Sequence, residues 1–419
     1  MSGQTRYRVI DVDAHLHEPL DWVEQIDPAL AETLGPPARF MQVADAVFGI
    51  SDPAVLATLP DAQRPRAGYD SVLPGFVHHL EMTDTRQPER QSETVHDPFC
   101  GPEARLGFCD EQGIDIQFLN PTFLVGPMVQ AARAGRFDLM PKLRQCWNRW
   151  AANQVYGHTD RLIPVTQIDL SNLDWSIDEM TRMRERGSRA FALPESPVGG
   201  APRFASGREP AIGKSLTHPD FDRLWSAAVD LGMAAFAHVG FGRERINRGW
   251  ANNGTSDLST YSFLNMVVNP QIAPQLLLSA MVFDGVFERH PRLSLVVEEV
   301  GISWLPHLLG ILDHAVGRPL PDVLDDGEYR PDFAGPAYKQ PLAPSEYLRR
   351  QVRVTPLVVW QALHPTIDLV PPEMLCFSSD YPHVEGTADA VAVCERQLGG
   401  MHEDVRAAFY GGVGKMIGL

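Results

Sequence analysis

Ionisable and apolar side chains alternate near the start of the chain, in the segment VIDVDAHLHEP at residues 9–19. Successive side chains of a β-strand point to opposite faces, so one face of a strand here carries Asp11, Asp13, His15 and His17. Burying two carboxylates and two imidazoles is costly unless a partner neutralises them. A divalent cation is such a partner, because carboxylates and neutral imidazoles are common metal ligands. The segment therefore predicts a metal site, and a surface strand with one wet face is the alternative.

Three later apolar runs also end in ionisable residues. The run MAAFAHVG ends in His238, SLVVEEVG ends in Glu298 and Glu299, and MLCFSSDYPH ends in Asp380 with His383 three residues on. In a barrel these ends meet at one mouth, where like charges repel unless a cation lies between them. Nitrogen and oxygen donors of this kind suit zinc, manganese or iron as a divalent ion. The predicted metal ligands are Asp13, His15, His238, Glu299, Asp380 and His383.

This set of ligands predicts chemistry that uses metal-activated water. A metal with an open coordination position lowers the pKa of bound water and polarises a carbonyl or carboxylate oxygen. Asp380 can bind the metal and also take a proton from the water, and Glu299 can be a ligand, a bridge between two metals or the acid/base. In a regular strand Glu298 points to the opposite face and pairs with a cation of a covering helix, although a slip of one residue exchanges the two glutamates.

Strand-like runs that alternate with amphipathic helical stretches must position these residues. Strands are predicted at Arg8–His15, Ile114–Leu119, Leu162–Ile168, Arg189–Leu193, Ala234–His238, Leu293–Glu299, Gln351–Thr355 and Leu375–Ser379. Helices are predicted at Leu139–Tyr156, Trp175–Arg186, Phe221–Leu231, Gln275–Arg289, Ile302–His314, Thr387–Leu398 and Glu403–Ile417. Eight strands and a length of 419 residues predict an α/β fold of the (β/α)8 TIM-barrel type. A doubly wound open sheet is the alternative, but no GxGxxG motif follows the first strand.

The connections between these elements are uneven in length. A large insertion occupies about residues 20–110, and further excursions occupy Glu195–His218, Phe241–Pro274 and Val316–Pro344. The first three leave the C-terminal end of a strand, where barrel active sites lie. We expect them to wall and cover one pocket within a single domain of residues 1–419. Contact between subunits of an oligomer is the alternative role.

Residues around these motifs give further candidates. Asp11 is expected deeper in the barrel in a supporting role, whereas His17 and Glu18 either support the ligands or bind a second metal. Arginine forks clamp carboxylates, so the arginines after His238 are candidates for holding a substrate, with a solvated basic loop as the alternative. Those arginines are Arg243, Arg245 and Arg248. His78 and His79 are either lid contacts or part of a solvated loop, and Trp250, Tyr261 and Phe263 either line an apolar pocket or pack their own loop.

The bulk composition restricts the partners. A formal charge of −17 disfavours nucleic acid and anionic membrane surfaces. No apolar run is long enough to span a membrane, and the N-terminus lacks the apolar core of a signal peptide. Five scattered cysteines without a CxxC pair suggest reduced thiols, hence a cytoplasmic location. The expected partner is a small-molecule substrate, and a homodimer is the usual state of such enzymes.

The motifs together resemble one known family. VIDVDAHLHEP, the histidine in AFAHVGF, the block VFDGVFERHPRLSLVVEEVG and SSDYPHVEG are similar to the amidohydrolase-related (amidohydrolase-2) branch of the amidohydrolase superfamily. The resemblance runs from about residue 6 to the C-terminus and implies a (β/α)8 barrel with a divalent metal at the strand C-termini. It also implies that Asp13 and His15 are the ligands of the first strand, His238 that of the fifth and Asp380 that of the eighth.

One position departs from the family. Decarboxylases of this branch that act on aminocarboxymuconate semialdehyde or hydroxybenzoates usually carry a histidine where this chain has Glu299. We therefore consider three hypotheses. The first is a metal-dependent hydrolase or decarboxylase that acts on a small organic acid or amide-like substrate. In this enzyme Asp380 and Glu299 are the acid/base pair, and zinc is the first candidate metal. The second is a non-haem di-iron oxygenase, which the additional donors Glu299 and His383 favour. The third is a catalytically silent partner subunit.

Overall fold

The computed structural model describes residues 7–19, 21–35, 101–133, 135–193, 215–240, 269–316, 322–323, 329–330, 338–357, 361–383, 386–387 and 389–419. The strands are β1 Ile10–Leu16, β2 Ile116–Pro121, β3 Leu162–Pro164, β4 Thr166–Gln167, β5 Ala190–Ala192, β6 Ala234–Ala237, β7 Leu295–Val297, β8 Asp322–Val323, β9 Tyr329–Arg330 and β10 Val352–Val354. The helices are α1 Trp22–Ile26, α2 Pro28–Leu34, α3 Pro102–Gln112, α4 Val125–Arg133, α5 Met140–Gln154, α6 Leu173–Glu185, α7 Asp222–Leu231, α8 Ile272–Phe283, α9 Val286–Arg289, α10 Leu305–Ala315, α11 Pro344–Gln351, α12 His364–Ile367, α13 Ala390–Leu398 and α14 Glu403–Ile417. Short 3-10 helices lie at Phe137–Leu139, Pro219–Phe221, Asn269–Gln271 and Pro372–Met374.

Parallel pairing joins the strands into a closed ring. One ladder has the order β1-β2-β3 and the other the order β10-β7-β6-β5-β4, while β8 and β9 pair only with each other in an antiparallel ribbon. The pieces β3 and β4 flank Val165 and together correspond to one predicted strand. Residues 375–381 close the other side, because Leu375 forms a parallel bridge with Val354 and Tyr381 forms one with Ala14. The predicted (β/α)8 barrel is therefore present.

Two apolar clusters lie on opposite faces of this ring. The larger cluster packs the strands against the surrounding helices. The smaller one fills the interior and includes Val12, Phe236 and Val296 from the strands, with Val413 and Ile417 from α14. Helix α14 thus closes the base of the barrel, where its apolar residues are removed from water. All of these interior side chains are buried, which leaves the opposite end for polar residues.

Close packing at the base is visible at one glycine of α14. A Cβ atom on Gly414 would lie 2.7 Å from Cδ1 of Ile10. The hydroxyl of Ser294 also donates a hydrogen bond of 3.1 Å to the carbonyl of Met416. The C-terminal helix is therefore held against the strand ends by both apolar and polar contacts.

Two local predictions were wrong. The single helix expected at Gln275–Arg289 is divided into α8 and α9, because Gly285 adopts a φ of 72° that a helix cannot contain. The first strand does not alternate regularly, since its pairing with β2 shifts between Asp11 and Ala14. A β-bulge of this kind rotates the residues that follow it relative to those before it. Val12 therefore packs into the interior cluster, although a regular strand would place it against the helices.

Most of the predicted loops lie outside the described residues. This holds for residues 36–100 of the expected lid, for residues 194–214 and for residues 241–268, which include the loop arginines Arg243, Arg245 and Arg248. Among the helices that the structure describes, none combines the length and the apolar character needed to cross a membrane.

Candidate metal centre

Strand β1 and its bulge carry the first two predicted ligands into the barrel mouth. Asp13 and His15 are both buried, and Oδ1 of Asp13 lies 3.3 Å from Nε2 of His15. The amide of Asn120, at the end of β2, donates a hydrogen bond of 3.1 Å to the same oxygen. Nδ1 of His15 lies 3.1 Å from the carbonyl oxygen of Pro121, which fixes the ring. These contacts hold both side chains from the neighbouring strand.

The ends of β6 and β7 bring His238 and Glu299 to the same point. Nε2 of His238 lies 3.5 Å from Oδ1 of Asp13, 3.2 Å from Nε2 of His15 and 3.2 Å from Oε2 of Glu299. Glu299 has a φ of 57°, in the left-handed region that non-glycine residues rarely adopt. In a regular strand Glu298 and not Glu299 would share the interior face of Val296. The unusual φ turns the Glu299 carboxylate towards His238.

The segment after residue 378 supplies Asp380 and His383. Asp380 also has a left-handed φ, of 52°, and its Oδ1 lies 3.3 Å from Nε2 of His15. The same oxygen lies 3.1 Å from Nδ1 of His383, whose Nε2 lies 3.0 Å from the hydroxyl of Thr122. The His383 ring stacks on the His15 ring with centroids 3.6 Å apart. All six predicted ligands therefore meet at one end of the barrel.

The six side chains form two overlapping groups of four possible ligands. In each group, one donor atom per residue lies within 4.8 Å of the others. One group is Asp13, His15, His238 and Glu299, and the other is His15, Glu299, Asp380 and His383. The groups share His15 and Glu299, so the arrangement offers donors for one ion or for two neighbouring ions.

Hydrogen bonding within the cluster fits a cation. Oδ2 of Asp13 is buried and has no hydrogen-bond partner, which is costly for a carboxylate oxygen. Nδ1 of His15 can donate to the carbonyl of Pro121, and Nδ1 of His238 can donate to the carbonyl of Val239, 3.1 Å away. With these tautomers, the Nε2 atoms of the two rings face each other and both are acceptors. A divalent ion would satisfy both imidazoles and the carboxylate at once.

The charges of the cluster shift the pKa values of its members. Burial alone would raise the pKa of Asp13, but attraction to His238 and a hydrogen bond with His15 lower it well below its ordinary value. Burial lowers the pKa of each of these histidines, yet the negative charge of Asp13 raises both overall. His383 differs, because burial and the neighbouring His15 hold its pKa well below the usual range. Asp13 is therefore ionised and His383 is neutral near pH 7.

Asp11 supports the cluster by joining β1 to both neighbouring strands. Its carboxylate accepts hydrogen bonds from Nε2 of Gln117 at 2.8 Å, and from the amide and hydroxyl of Ser379 at 2.8 and 2.6 Å. Burial raises the pKa of Asp11 to about 6. These bonds tie the strand that carries Asp13 to the segment that carries Asp380.

His17 and Glu18 lie behind the cluster. Glu18 accepts hydrogen bonds from the amide of Phe123 at 2.8 Å and from Nε1 of Trp147 at 2.6 Å, while burial raises its pKa to about 7. The His17 ring is 6.2 Å from the His383 ring, centroid to centroid, and burial lowers its pKa to about 3. Neither residue belongs to the two groups of possible ligands.

The expectation for Glu298 was wrong. Its carboxylate is fully buried, and the charges that act on it most are those of Asp13 and Glu299, not those of a cation on a covering helix. Burial and this repulsion raise its pKa well above the ordinary value. The alternation along β7 places it beside Val296, on the interior face beneath the cluster. Burial there favours the protonated acid.

A cavity of about 130 Å³ opens beside His15 and His238. One part of its wall is apolar and includes Leu124, Met128 and Leu193. Besides His15 and His238, its polar wall residues escaped the sequence analysis, namely Asn120, Thr122, Arg144 and Gln167. Asn120 and Gln167 lie at the ends of strands, so extending the search from ionisable to all polar residues at strand ends would have found them. Arg144 is on helix α5, where nothing in the sequence pattern marks it.

Comparison with protein families agrees with the motifs. The family model described as amidohydrolase matches residues 10–412, which confirms the family that the motifs resemble. A curated relative, 2-amino-3-carboxymuconate-6-semialdehyde decarboxylase of Dictyostelium discoideum, is 24% identical over 282 residues. The match covers 67% of this chain and 66% of that protein, so the chain spans about two thirds of its length.

Solved structures confirm the barrel. An amidohydrolase from Mycobacterium avium subsp. paratuberculosis is 21% identical with a TM-score of 0.65, and the match covers 99% of this chain and all of that one. 5-Carboxyvanillate decarboxylase from Sphingomonas paucimobilis is 20% identical with a TM-score of 0.56 and the same coverage. The enzyme of that name from Novosphingobium aromaticivorans, solved with manganese, is 18% identical with a TM-score of 0.60 over 100% of this chain and 98% of that one. The donor set and these relatives support a divalent metal.

Proposed function

The chain belongs to the amidohydrolase family, and from that premise we propose that it is a metal-dependent decarboxylase or hydrolase of a small organic acid, with an aromatic or amide-like body. The observation that carries the proposal is the meeting of six ionisable side chains at the barrel mouth, beside an open cavity. The names of the relatives favour loss of carbon dioxide from an aromatic or unsaturated acid.

The cavity supports a substrate with a single ring. Its volume of about 130 Å³ is close to that of an engineered cavity of about 150 Å³ that binds benzene. Apolar side chains such as Leu124 and Met128 can contact the faces of a ring. The histidines His15 and His238 border the same cavity, so an acid group of the substrate would lie against the cluster.

In this proposal the donors that would hold the ion come from the two groups of possible ligands, which contain Asp13, His15, His238, Glu299, Asp380 and His383. A divalent ion there polarises a carboxylate or carbonyl oxygen and lowers the pKa of water. The side chains around it then position the substrate and move a proton. Zinc is our first candidate for this ion, and manganese and iron are the alternatives for the same donors.

Asp380, His383 and Thr122 form a path for that proton. Oδ1 of Asp380 lies 3.1 Å from Nδ1 of His383. Nε2 of His383 lies 3.0 Å from the hydroxyl of Thr122. The neutral ring can accept a proton on one nitrogen while it donates from the other. In decarboxylation the proton would pass to the carbon that loses carbon dioxide. In hydrolysis Asp380 would take the proton of the attacking water, with Glu299 as the second acid/base.

The proposal also covers the setting in which the enzyme works. We propose a homodimer in the cytoplasm that acts on a small molecule. Cys109, Cys146, Cys376 and Cys394 are buried free thiols, which supports a reducing compartment.

Release of carbon dioxide from aromatic acids tests the proposed reaction. The purified protein should decarboxylate at least one acid of a panel that includes 5-carboxyvanillate and 2,6-dihydroxybenzoate, the substrates named by its structural relatives. Asp380→Asn should lower kcat by about 10²- to 10⁴-fold, as expected when a general acid/base is lost. The matched control Asp404→Asn changes an exposed carboxylate. Absence of turnover on acids and amides alike would favour the silent partner subunit.

The second group of donors favours one other function. His383 and Asp380 add ligands on the far side of His15 and Glu299, which supports a non-haem di-iron oxygenase on the same barrel. That enzyme would consume oxygen in proportion to product and would contain two irons per chain. Decarboxylation that proceeds at full rate without oxygen would contradict it.

A further inference from the structure

A buried arginine lines the cavity, on the wall formed by helix α5. Arg144 borders the same space as His15 and His238, and only about a tenth of its side chain is exposed. The helix is held in place, because Asn148 exchanges two hydrogen bonds with the backbone of Gln167, at 2.9 and 2.7 Å. Arg144 therefore projects from a rigid element beside the candidate metal centre.

The guanidinium of Arg144 is poorly satisfied by the described part of the chain. Among the described residues, Arg144 forms one ion pair, in which its Nε lies 3.8 Å from Oδ2 of Asp169. Nε of Arg144 is buried and forms no hydrogen bond. Asp169 also serves Ser171, whose amide and hydroxyl lie 2.9 and 2.5 Å from its Oδ1. An arginine carries five N–H donors, and burying the Nε–H without a hydrogen bond is costly. The two terminal nitrogens are not among the buried atoms without a partner, and the side chain lines the cavity.

Two other buried arginines, Arg105 and Arg353, each leave one nitrogen buried without a hydrogen bond but donate through another nitrogen to backbone carbonyls. Arg105 donates a hydrogen bond of 2.6 Å to the carbonyl of His15. Arg353 donates to the carbonyls of Arg349 and Val352, at 3.1 and 2.7 Å. Arg144 donates no hydrogen bond to any described residue, although it is as deeply buried as these two. The difference is that Arg144 faces a cavity.

We propose that Arg144 is a specificity residue that binds a second anionic group of the substrate, remote from the group at the candidate metal centre. The fork of an arginine matches a carboxylate through two parallel hydrogen bonds. The substrate class is then a ring-sized dicarboxylic acid, with one carboxylate at the histidines and the other at Arg144. This assignment rests on the proposed function for the first carboxylate only. The loop arginines that the sequence suggested for a clamp are not needed for it.

Binding of matched acids to the metal-loaded enzyme tests this assignment. Isothermal titration calorimetry would compare benzoate with the ortho, meta and para benzenedicarboxylates, which span the possible spacings of two carboxylates. The wild type should bind one of the three at least about 10-fold more tightly than benzoate. Arg144→Met should weaken that diacid by about 10- to 100-fold and change benzoate by less than about 3-fold.

Two further variants separate recognition from folding. Arg144→Lys keeps the charge without the fork and should recover part of the preference. Arg149→Met makes the same substitution at an exposed arginine of α5 and should keep the wild-type preference. Equal binding of benzoate and all three diacids by the wild type would overturn the assignment. An equal loss for benzoate and diacid in both Arg144 variants would also overturn it.

The binding ratio is independent of turnover. If no acid is decarboxylated but the wild type prefers a diacid through Arg144, the proposed reaction fails and the specificity site stands. If monocarboxylic acids are decarboxylated and Arg144→Met changes no binding ratio, the reaction stands and the specificity site fails.

Discussion

The two ends of the barrel are built from different kinds of residue. The base is filled by aliphatic and aromatic side chains from the strands and closed by Val413 and Ile417 of α14. The mouth carries six ionisable side chains and a carboxylate oxygen of Asp13 without a hydrogen bond. Within the described residues, the two non-glycine positions with a left-handed φ, Glu299 and Asp380, are also at the mouth.

This contrast separates stability from chemistry. Apolar burial at the base contributes free energy of folding and requires no unusual geometry. The mouth contains like charges and backbone strain, both of which cost free energy unless a ligand compensates. Substitutions at the mouth should therefore change metal binding and activity, whereas substitutions at the base should change stability alone.

The largest effect should come from a ligand at the mouth. His238→Ala removes one donor that lies within 3.5 Å of three other cluster members. Loss of a direct ligand should weaken metal affinity by more than about 100-fold, the upper range for residues that only support a ligand. Dialysis against graded zinc concentrations, followed by elemental analysis, measures it. The exposed His402→Ala is the control, and unchanged affinity in His238→Ala would refute the ligand role.

The next effect is a pH dependence of the folding stability, caused by Glu18 behind the metal cluster. Because burial raises the pKa of Glu18 from an unfolded value near 4.5 to about 7, the folded chain holds a proton that the unfolded chain has lost. This contribution to stability is complete below about pH 4.5 and is lost as the pH rises through 7. Between pH 5 and pH 8 the wild type should lose about 2.5 kcal/mol relative to Glu18→Gln.

Chemical denaturation of both proteins at several pH values checks this prediction, with chelator present to remove effects of metal. In the glutamine variant the NH2 group replaces one carboxylate oxygen and faces an N–H donor, either that of Trp147 or that of Phe123, which adds a cost that does not depend on pH. The informative quantity is the slope of the difference with pH. Parallel curves for the two proteins would show that Glu18 is ionised throughout. Glu24→Gln, at an exposed carboxylate of α1, controls for loss of one charge.

A smaller effect should follow from crowding the strained backbone. A Cβ atom on Gly386 would lie 2.1 Å from the carbonyl oxygen of Ser379 and 2.7 Å from that of Asp380. Gly386→Ala should therefore displace Asp380 and lower kcat by about 100-fold, the scale of loss for a misplaced group. Gly107→Ala, in a helix with open space around it, should keep full activity. Equal activity of the two variants would show that the position of Asp380 is not critical.

The smallest effect should come from the base. Val413→Ala removes two buried carbon atoms from the interior cluster and should lower the free energy of unfolding by about 2 kcal/mol. Metal content and kcat should equal those of the wild type, because α14 closes the end of the barrel opposite to the cluster. Denaturant unfolding and elemental analysis measure the two quantities. A loss of metal in this variant would mean that the two ends are coupled.

Sequence patterns predicted the base better than the mouth. The alternation of apolar runs and helices located seven strand segments to within about two residues, and α14 matches its predicted range of Glu403–Ile417. The eighth predicted strand, Leu375–Ser379, lies in the segment that closes the ring through isolated bridges at Leu375 and Tyr381. These elements follow local periodicity, which the sequence carries directly. The gathering of Asp13, His15, His238, Glu299, Asp380 and His383 was also expected from the strand ends. Their roles as ligands stay a prediction.

The errors came from geometry that departs from regular elements. Glu299 reaches the cluster through one unusual φ value although Glu298 occupies the interior face, and the bulge in β1 depends on its pairing with β2. Neither is encoded in a periodic pattern. Arg144 was missed because its helix reaches the cavity only through tertiary packing. Regular periodicity cannot identify residues of this kind.

The number of metal ions per chain tests the central claim most directly. Elemental analysis of protein purified without added metal or chelator should give one divalent ion per chain in the wild type. The double variant Asp13→Ala/His238→Ala should give less than about a tenth of that amount, because it removes two of the four donors of one group. Two irons per chain would favour the oxygenase. Equal metal content in wild type and double variant, or no metal in either, would contradict a metal centre at the barrel mouth.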